Sequence, residues 1–369
     1  MRYRYRPLPA AVALTIVAAC SSAGAAPLDA LLTATPGSAP MRAEIEVGYD
    51  MMNTSLDFLH LREKSGSANT SASSGMGNYQ GGHLHAGAAL SPRLWVDATY
   101  MKRKIDYRSF DAAIDSWQLG AQYKVLDGAG SAPTVALRIG AWGDYASSLT
   151  KNTNTTVAGT KFTSATVTRP KDTQLQFDVI GTWPVAAHIE LTGSVGAGAG
   201  RVTFGAVSAT SRTRNGCEYN IAFDEASATG TLAHPCNASV VIDRFVYPAA
   251  DNVDVYKEAR YRSSYAHAGL MARWHSANWQ VRAGYQYQSI RRSDVDDIIE
   301  RRGATAYKHN QVLISDVSYD LSKNVTVFLR GQYMSNQFNG EIPMAYNSLT
   351  AEKFNQKYGI VSTGLVLKF

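Results

Sequence analysis

After its first 25 residues the chain has no run of 18 apolar residues, and its mean hydropathy is slightly negative at -0.19. A helix needs roughly 20 apolar residues to cross a bilayer, so helical membrane spans are excluded. Cysteine is nearly absent: of three, Cys20 falls in the leader-like start of the chain, which leaves Cys217 and Cys236 in a polar stretch. Two thiols with only His234 nearby do not complete a four-ligand metal set. The pair therefore favours a disulfide in an oxidising compartment over two free thiols, and no metal site or other cofactor is expected. A strong charge of one sign is also missing. The 36 Lys and Arg against 30 Asp and Glu give +6, and removing Arg2, Arg4 and Arg6 leaves 33 against 30, or +3. A nucleic-acid binder concentrates basic charge, so that partner class is not expected.

What is present starts with a leader. Arg2, Arg4 and Arg6 precede an uncharged apolar stretch at residues 7–19, and Ala23-Gly24-Ala25 supplies small residues for cleavage. This pattern predicts a secretory signal peptide over residues 1–25, cut near Ala25 or Ala26. A competing cut remains, because Val17-Ala18-Ala19-Cys20 resembles a lipobox and would leave a lipidated Cys20. Residues 26–42 then form a short periplasmic segment and residues 43–369 the body of the protein.

That body reads as all-β. Segments of period-two alternation occur at residues 43–51, 82–90, 94–102, 114–126, 134–145, 173–183, 188–204, 265–274, 279–289, 310–321, 325–334 and 357–369. Tight connections rich in Gly, Pro, Asn and Ser, at 91–93, 127–132, 184–187, 275–278 and 322–324, alternate with long polar ones such as 53–81, 146–172, 205–264 and 335–356. Short turns alternating with long loops are what a transmembrane up-and-down barrel shows, and an even count of twelve puts both ends on one side. A soluble sandwich or barrel also has short alternating strands. Yet Trp279, Val281, Ala283, Tyr285 and Tyr287 share a face with aromatics at its ends, opposite Gln280, Arg282, Gln286 and Gln288, and that arrangement suits an apolar face turned to lipid. Trp183, Trp274, Trp279, Tyr319 and Phe369 then lie at the short-turn end, and Tyr49, Tyr100, Trp117, Tyr145, Tyr285 and Tyr333 toward the long loops. Counting residues 239–246 and a partner as spanning strands would give fourteen.

The closing segment, Gly359-Ile-Val-Ser-Thr-Gly-Leu-Val-Leu-Lys-Phe369, places Val361, Leu365, Leu367 and Phe369 on one face. It resembles the terminal-Phe signature of Gram-negative outer-membrane β-barrels. The resemblance implies an outer-membrane location, with Phe369 as an insertion signal read by the barrel-assembly machinery. Outer-membrane lipid then surrounds the chain, and Arg103, Lys104, Arg108, Arg260, Arg262, Arg291 and Arg292 would meet lipopolysaccharide phosphates. Homo-oligomerisation is left open.

An outward apolar face assigns the opposite face to the lumen. It carries the acids Glu44, Glu46, Asp50, Asp97, Asp144, Asp178, Glu190 and Asp316, the bases Lys124, Arg138, Arg273, Arg282 and Arg330, and His83 and His85. Burying so many charges is costly without water or partners, so a hydrated interior with internal ion pairs is expected. Twelve strands fall between small filled barrels and wide porins. The function this supports is a narrow porin-like channel for ions or small polar solutes. Two other classes compete. An outer-membrane phospholipase or deacylase would need a catalytic set, for which His83-Leu-His85 with Asp97 is the best local candidate and no serine stands in a nucleophile motif; catalysis is not expected. A surface or adhesive barrel would act through its loops, of which 205–264 is the longest and 293–302 reads as a short capped helix whose acids are solvated.

Overall fold

The computed structural model describes residues 29–32, 43–52, 78–107, 110–128, 132–157, 160–213, 215–225, 227–234, 236, 241–248, 260–301, 303–336, 339–347, 351 and 357–369. The proposed signal peptide and Arg108 lie outside these residues. Twelve strands close into one antiparallel barrel: β1 (Ala43–Met52), β2 (Asn78–Ala89), β3 (Leu94–Tyr107), β4 (Phe110–Leu126), β5 (Thr134–Tyr145), β8 (Lys171–Ala186), β9 (Ile189–Thr203), β14 (Tyr261–Ser276), β15 (Trp279–Arg292), β16 (His309–Asp320), β17 (Val325–Met334) and β18 (Tyr358–Lys368). Each pairs with its neighbours in the barrel, and β18 closes on β1 from Glu44 opposite Lys368 to Met51 opposite Val361. Closure satisfies every strand edge, which a wall facing hydrocarbon requires.

Side-chain parity sets the two faces. Val47, Leu84, Tyr100, Leu119, Ile139, Phe177, Val195, Leu270, Tyr285, Leu313, Leu329 and Leu365 put one exposed large apolar or aromatic side chain on the outside of each of the twelve strands. A water-soluble barrel would turn such a continuous band inward. Exposed Trp183, Trp274, Trp279 and Phe369 ring the short-turn end, and Tyr49, Trp117 and Tyr145 the long-loop end. The chain is therefore an inverted, transmembrane-type barrel.

The remaining strands are β6 (Ser148–Val157), β7 (Thr160–Thr168), β10 (Ala206–Arg212), β11 (Glu218–Phe223), β12 (Ser227–His234) and β13 (Arg244–Pro248). They form a separate six-stranded sheet in the order β13-β12-β11-β10-β7-β6. These six strands fall within the segments 146–172 and 205–264, which read as long polar connections. The β8–β9 ladder, whose last pair is Lys171 with Thr203, resumes as β7–β10 at Thr168 with Ala206. Between them the chain bends at Arg169, which has φ 47°, and at Gly205. The fourteen-strand alternative is thereby corrected: β13 pairs with β12 in the second sheet and not with the barrel. Cys217 and Cys236 are joined in a disulfide beside buried Tyr219 and Ile221.

Inside the barrel lies a hydrophobic core that a wholly hydrated lumen would not have. Ile105, Ile114, Val202, Tyr261, Val312, Ile314, Met334, Tyr358 and Ile360 come from the long-loop half of the wall. They pack with Val295 and Ile299 of α2 (Val295–Arg301) and with Ile342, Met344 and Tyr346 of the connection between β17 and β18. At the short-turn half, α1 (Asp29–Leu32) lies against β8, β9 and β14, with Leu31 fully buried. Residues that read as part of a periplasmic segment thus contribute a turn inside the barrel. The helix expected at residues 293–302 is present, and at its start the Asp296 carboxylate accepts from the Arg292 amide (2.8 Å). Asp296 is buried with that arginine and is not solvated as expected.

Candidate functional site: the barrel interior

The inner face joins most of its charges into wall-bound networks. On the closure seam, the Arg330 guanidinium of β17 reaches past β18 to Glu46 of β1 with both terminal nitrogens (2.8 and 3.1 Å), while its Nε donates to Asp316 of β16 (3.0 Å). Asp316 also accepts from Arg282 of β15 (3.1 Å), and Arg282 in turn donates to the Leu32 carbonyl of α1 (2.9 Å). Glu46 continues the chain to His83 of β2 (3.0 Å), whose other ring nitrogen lies 2.9 Å from Asp50; Ser362 of β18 donates to the same Asp50. Of the expected lumen residues, Glu46, Asp50, His83, Arg282, Asp316 and Arg330 are thus joined along the wall across the β1–β18 closure.

A second pair spans β3 to β5. Arg138 holds Asp97 with two bonds of 2.8 Å, both side chains almost fully buried. It lies flat over β4 because residue 120 is glycine: a Cβ there would fall 2.1 Å from the guanidinium. The same device recurs at Gly196 on β9, under the contact between Asp178 of β8 and His267 of β14 (2.6 Å). A buried pair is costly to form and more costly to break, so these bridges hold neighbouring strands in one arrangement.

The other expected lumen residues are placed individually. Arg273 pairs with Glu190 (3.0 Å), Lys124 with Asp127 at a short turn (3.2 Å), and His85 with the Thr99 hydroxyl (2.8 Å). Glu44 is half-buried at the start of β1. The catalytic combination of His83, His85 and Asp97 does not assemble: His83 is clamped by two carboxylates, and Asp97 is taken by Arg138. Among the described residues, no group of three or more His, Cys, Asp or Glu is arranged to hold a metal ion.

Asp144 joins a latch that sequence reasoning missed. Arg103 of β3 donates to Glu341 (2.7 Å), to Asp144 of β5 (3.2 Å) and to the Ser116 hydroxyl (2.8 Å). Glu341 belongs to the connection between β17 and β18, which is also held by the Met344 amide donating to Asp172 (3.0 Å) and by Tyr261 donating to the Pro343 carbonyl. Burial, together with the nearby Asp144, pushes the Glu341 carboxyl up to about 7 against the lowering effect of Arg103. Arg292 is a second hub, with its guanidinium 3.9 Å over the Tyr346 ring and bonded to Asp296, Asn339 and the Tyr307 carbonyl. Arg103 and Arg292 were expected at lipopolysaccharide, but both are buried and turn inward. The reason is strand length. β3 and β15 run past residues 102 and 289, so parity carries Arg103 and Arg292 onto the same face as Asp97 and Gln286. Arg260, Arg262 and Arg291 remain outside the buried interior.

No family model matches this chain, and neither does any curated protein. Solved structures with a similar outline include the translocator domain of the autotransporter NalP from Neisseria meningitidis (12% identity, 92% of each chain, TM-score 0.47). The NanC porin is another (9%, 89% of this chain and 100% of the other, 0.41), as is outer-membrane phospholipase A from Escherichia coli (12%, 89% and 92%, 0.32). With such low identities and scores, the reading of the fold rests on this chain's own strand pairing. By that pairing and its two faces it is a closed, twelve-stranded antiparallel barrel of the transmembrane type, apolar outside and polar in the middle of its interior.

Proposed function

We propose that the chain is an outer-membrane barrel of a Gram-negative cell and a gated, narrow channel for small polar solutes. The observation that carries this is the docking of the β17–β18 connection. The segment fills the long-loop end of the barrel without joining the wall, held by polar contacts from Arg103, Asp172 and Arg292. A connection held by side-chain contacts and not by strand pairing can leave this position without unpairing the wall. The outer apolar band supports lipid as its surroundings, and exposed Phe369 supports reading by the assembly machinery. Lipopolysaccharide contact rests on Arg262 and Arg291, which are exposed. The dispersal of His83, His85 and Asp97 into other contacts favours transport over catalysis.

The test is conductance in planar bilayers of the folded wild type and of a variant lacking residues 339–347. Brief, rare openings are expected for the wild type and sustained conductance for the deletion. A folded protein silent in both forms refutes the channel.

A further inference from the structure

Charged side chains buried in the wall pair with one another, as in Asp97 with Arg138, Glu46 with Arg330, and Arg103 with Asp144 and Glu341, while Asp144 Oδ2, Glu341 Oε2 and His267 Nδ1 have no partner among the described residues. Neutral side chains hold further unused hydrogen-bonding capacity, at Trp95, Gln122 and Gln332 singly and at six residues that lie together. On the inner face of β5, β8, β9, β14 and β15, the Trp142 indole N–H, Gln174 Nε2, Gln176 Oε1, Ser194 Oγ, Tyr265 Oη and both amide atoms of Gln286 have no partner among the described residues. All six side chains are more than nine-tenths buried. Their registers are contiguous. Trp142 faces Gln174, Gln174 faces Gly200, and Gln176 faces Gly198, which faces Tyr265; Ser194 faces Gly269, which faces Gln286. The inward glycines of β9 lower the centre of this wall, so that Gln174 and Tyr265 lean over it from either side. Four inward positions separated by two residues each make a track of about 20 Å along the strands.

Both insertions rest on this wall. The turn Pro343–Ala345 packs on β8 and β9 from the long-loop end, and α1 packs on β8, β9 and β14 from the other. Gly340, at φ +88°, brings the inserted connection against Gln288 where a Cβ would fall 2.6 Å from the Gln288 amide oxygen. A permeating molecule must displace these covers and pass along the track.

We propose that this wall is a binding track for a neutral, hydroxyl-rich solute, a short sugar chain, with unbonded amides and hydroxyls serving the solute hydroxyls and Trp142 and Tyr265 supplying apolar faces. The proposal rests on the channel reading and names its solute class. The ionisable contact on this wall, Asp178 with His267 over Gly196, is closed on itself, so an ionic solute would have to break it to gain a counter-charge. A sugar brings donors and acceptors that the amides can meet in either orientation.

The test is calorimetric titration of the folded full-length chain in detergent with maltotriose, glucose and glucuronate, using wild type and Arg103→Ala, in which the latch is released. Maltotriose is expected to bind at least tenfold tighter than glucose, and glucuronate more weakly than either. The Gln174→Leu, Gln286→Leu double variant should weaken maltotriose tenfold or more. If it does not fold, Gln174→Asn with Gln286→Asn should weaken it severalfold. No maltotriose binding in either protein, glucuronate binding as tight as maltotriose, or a folded double variant that binds normally overturns the proposal. Binding is read at equilibrium, so a barrel that binds maltotriose but never conducts refutes the channel and leaves the track standing. One that conducts but does not bind does the reverse.

Discussion

Replacing Arg103 with alanine tests the latch most directly. The guanidinium is 1% exposed and lies 2.7 Å from Glu341 and 3.2 Å from Asp144, so its loss leaves two buried carboxyls without their cation. Breaking a buried pair by removing one partner costs about 3–5 kcal/mol. Here the lower figure applies, because the Glu341 carboxyl already titrates at about 7 and can accept a proton at little cost. About 3 kcal/mol against docking corresponds to roughly two decades in the docked-to-undocked ratio. Arg103 lies within a strand and Glu341 outside one, so the loss falls on the inserted connection more than on the wall. The assay is open probability in planar bilayers at pH 7.5, with Arg330→Ala as the comparison. Among the described residues that second arginine itself bonds Glu46 and Asp316, both in strands, and its loss should lower barrel stability without opening the pore. Unchanged open probability in Arg103→Ala, or equal opening in both variants, would refute the reasoning.

Four further outcomes are expected. The docked Glu341 carboxyl is raised from 4.5 to about 7, facing Arg103 of β3, Asp144 of β5 and the more distant Asp50 of β1. The docked state therefore holds a proton that the undocked state releases between those values, and docking weakens by about 3 kcal/mol as pH rises through that window, then levels off. Open probability should rise from pH 5 to 7.5, and Glu341→Gln should remain closed throughout; a flat wild-type profile contradicts this. Gly120→Val places a Cβ against Arg138 and Asp97 and should cost about 3–5 kcal/mol in urea unfolding from detergent; an unchanged midpoint would show that the pair can move aside. Leu329→Arg, at a position 55% exposed on the outer face, should reduce stability in lipid bilayers by about 2–4 kcal/mol, whereas no effect would mean that this face meets water. Reducing the Cys217–Cys236 bridge, whose partners are 19 residues apart, should weaken the six-stranded sheet by about 3 kcal/mol, read as faster proteolysis within residues 205–260 with the barrel intact; equal loss of the barrel would show the two to be one cooperative unit.

What the sequence determined by itself is local. Alternation of period two assigns each residue of a strand to one face, and turn residues end the strand, so twelve strands, their order and the outward apolar band were legible from neighbours in the chain. Parity also brought Glu46, Asp50, Asp316 and Arg330 to the interior, and the even pair Cys217 and Cys236 to a disulfide. The tertiary structure decided what lies across space. Arg103 finds Glu341 at a separation of 238 residues, and no local pattern records that choice. Its side chain looked external because its strand was read as ending at residue 102, whereas β3 continues to Tyr107 and carries Arg103 onto the inner face by parity. The polar connections at 146–172 and 205–264 became a second sheet because β8 and β9, once paired in the barrel, present a ladder that β7 and β10 continue. The filling of the lumen by Leu31, Ile299 and Met344 likewise depends on wall residues from distant strands converging on one cavity. Face and strand follow from adjacency along the chain, whereas partner and plug follow only once the barrel has closed.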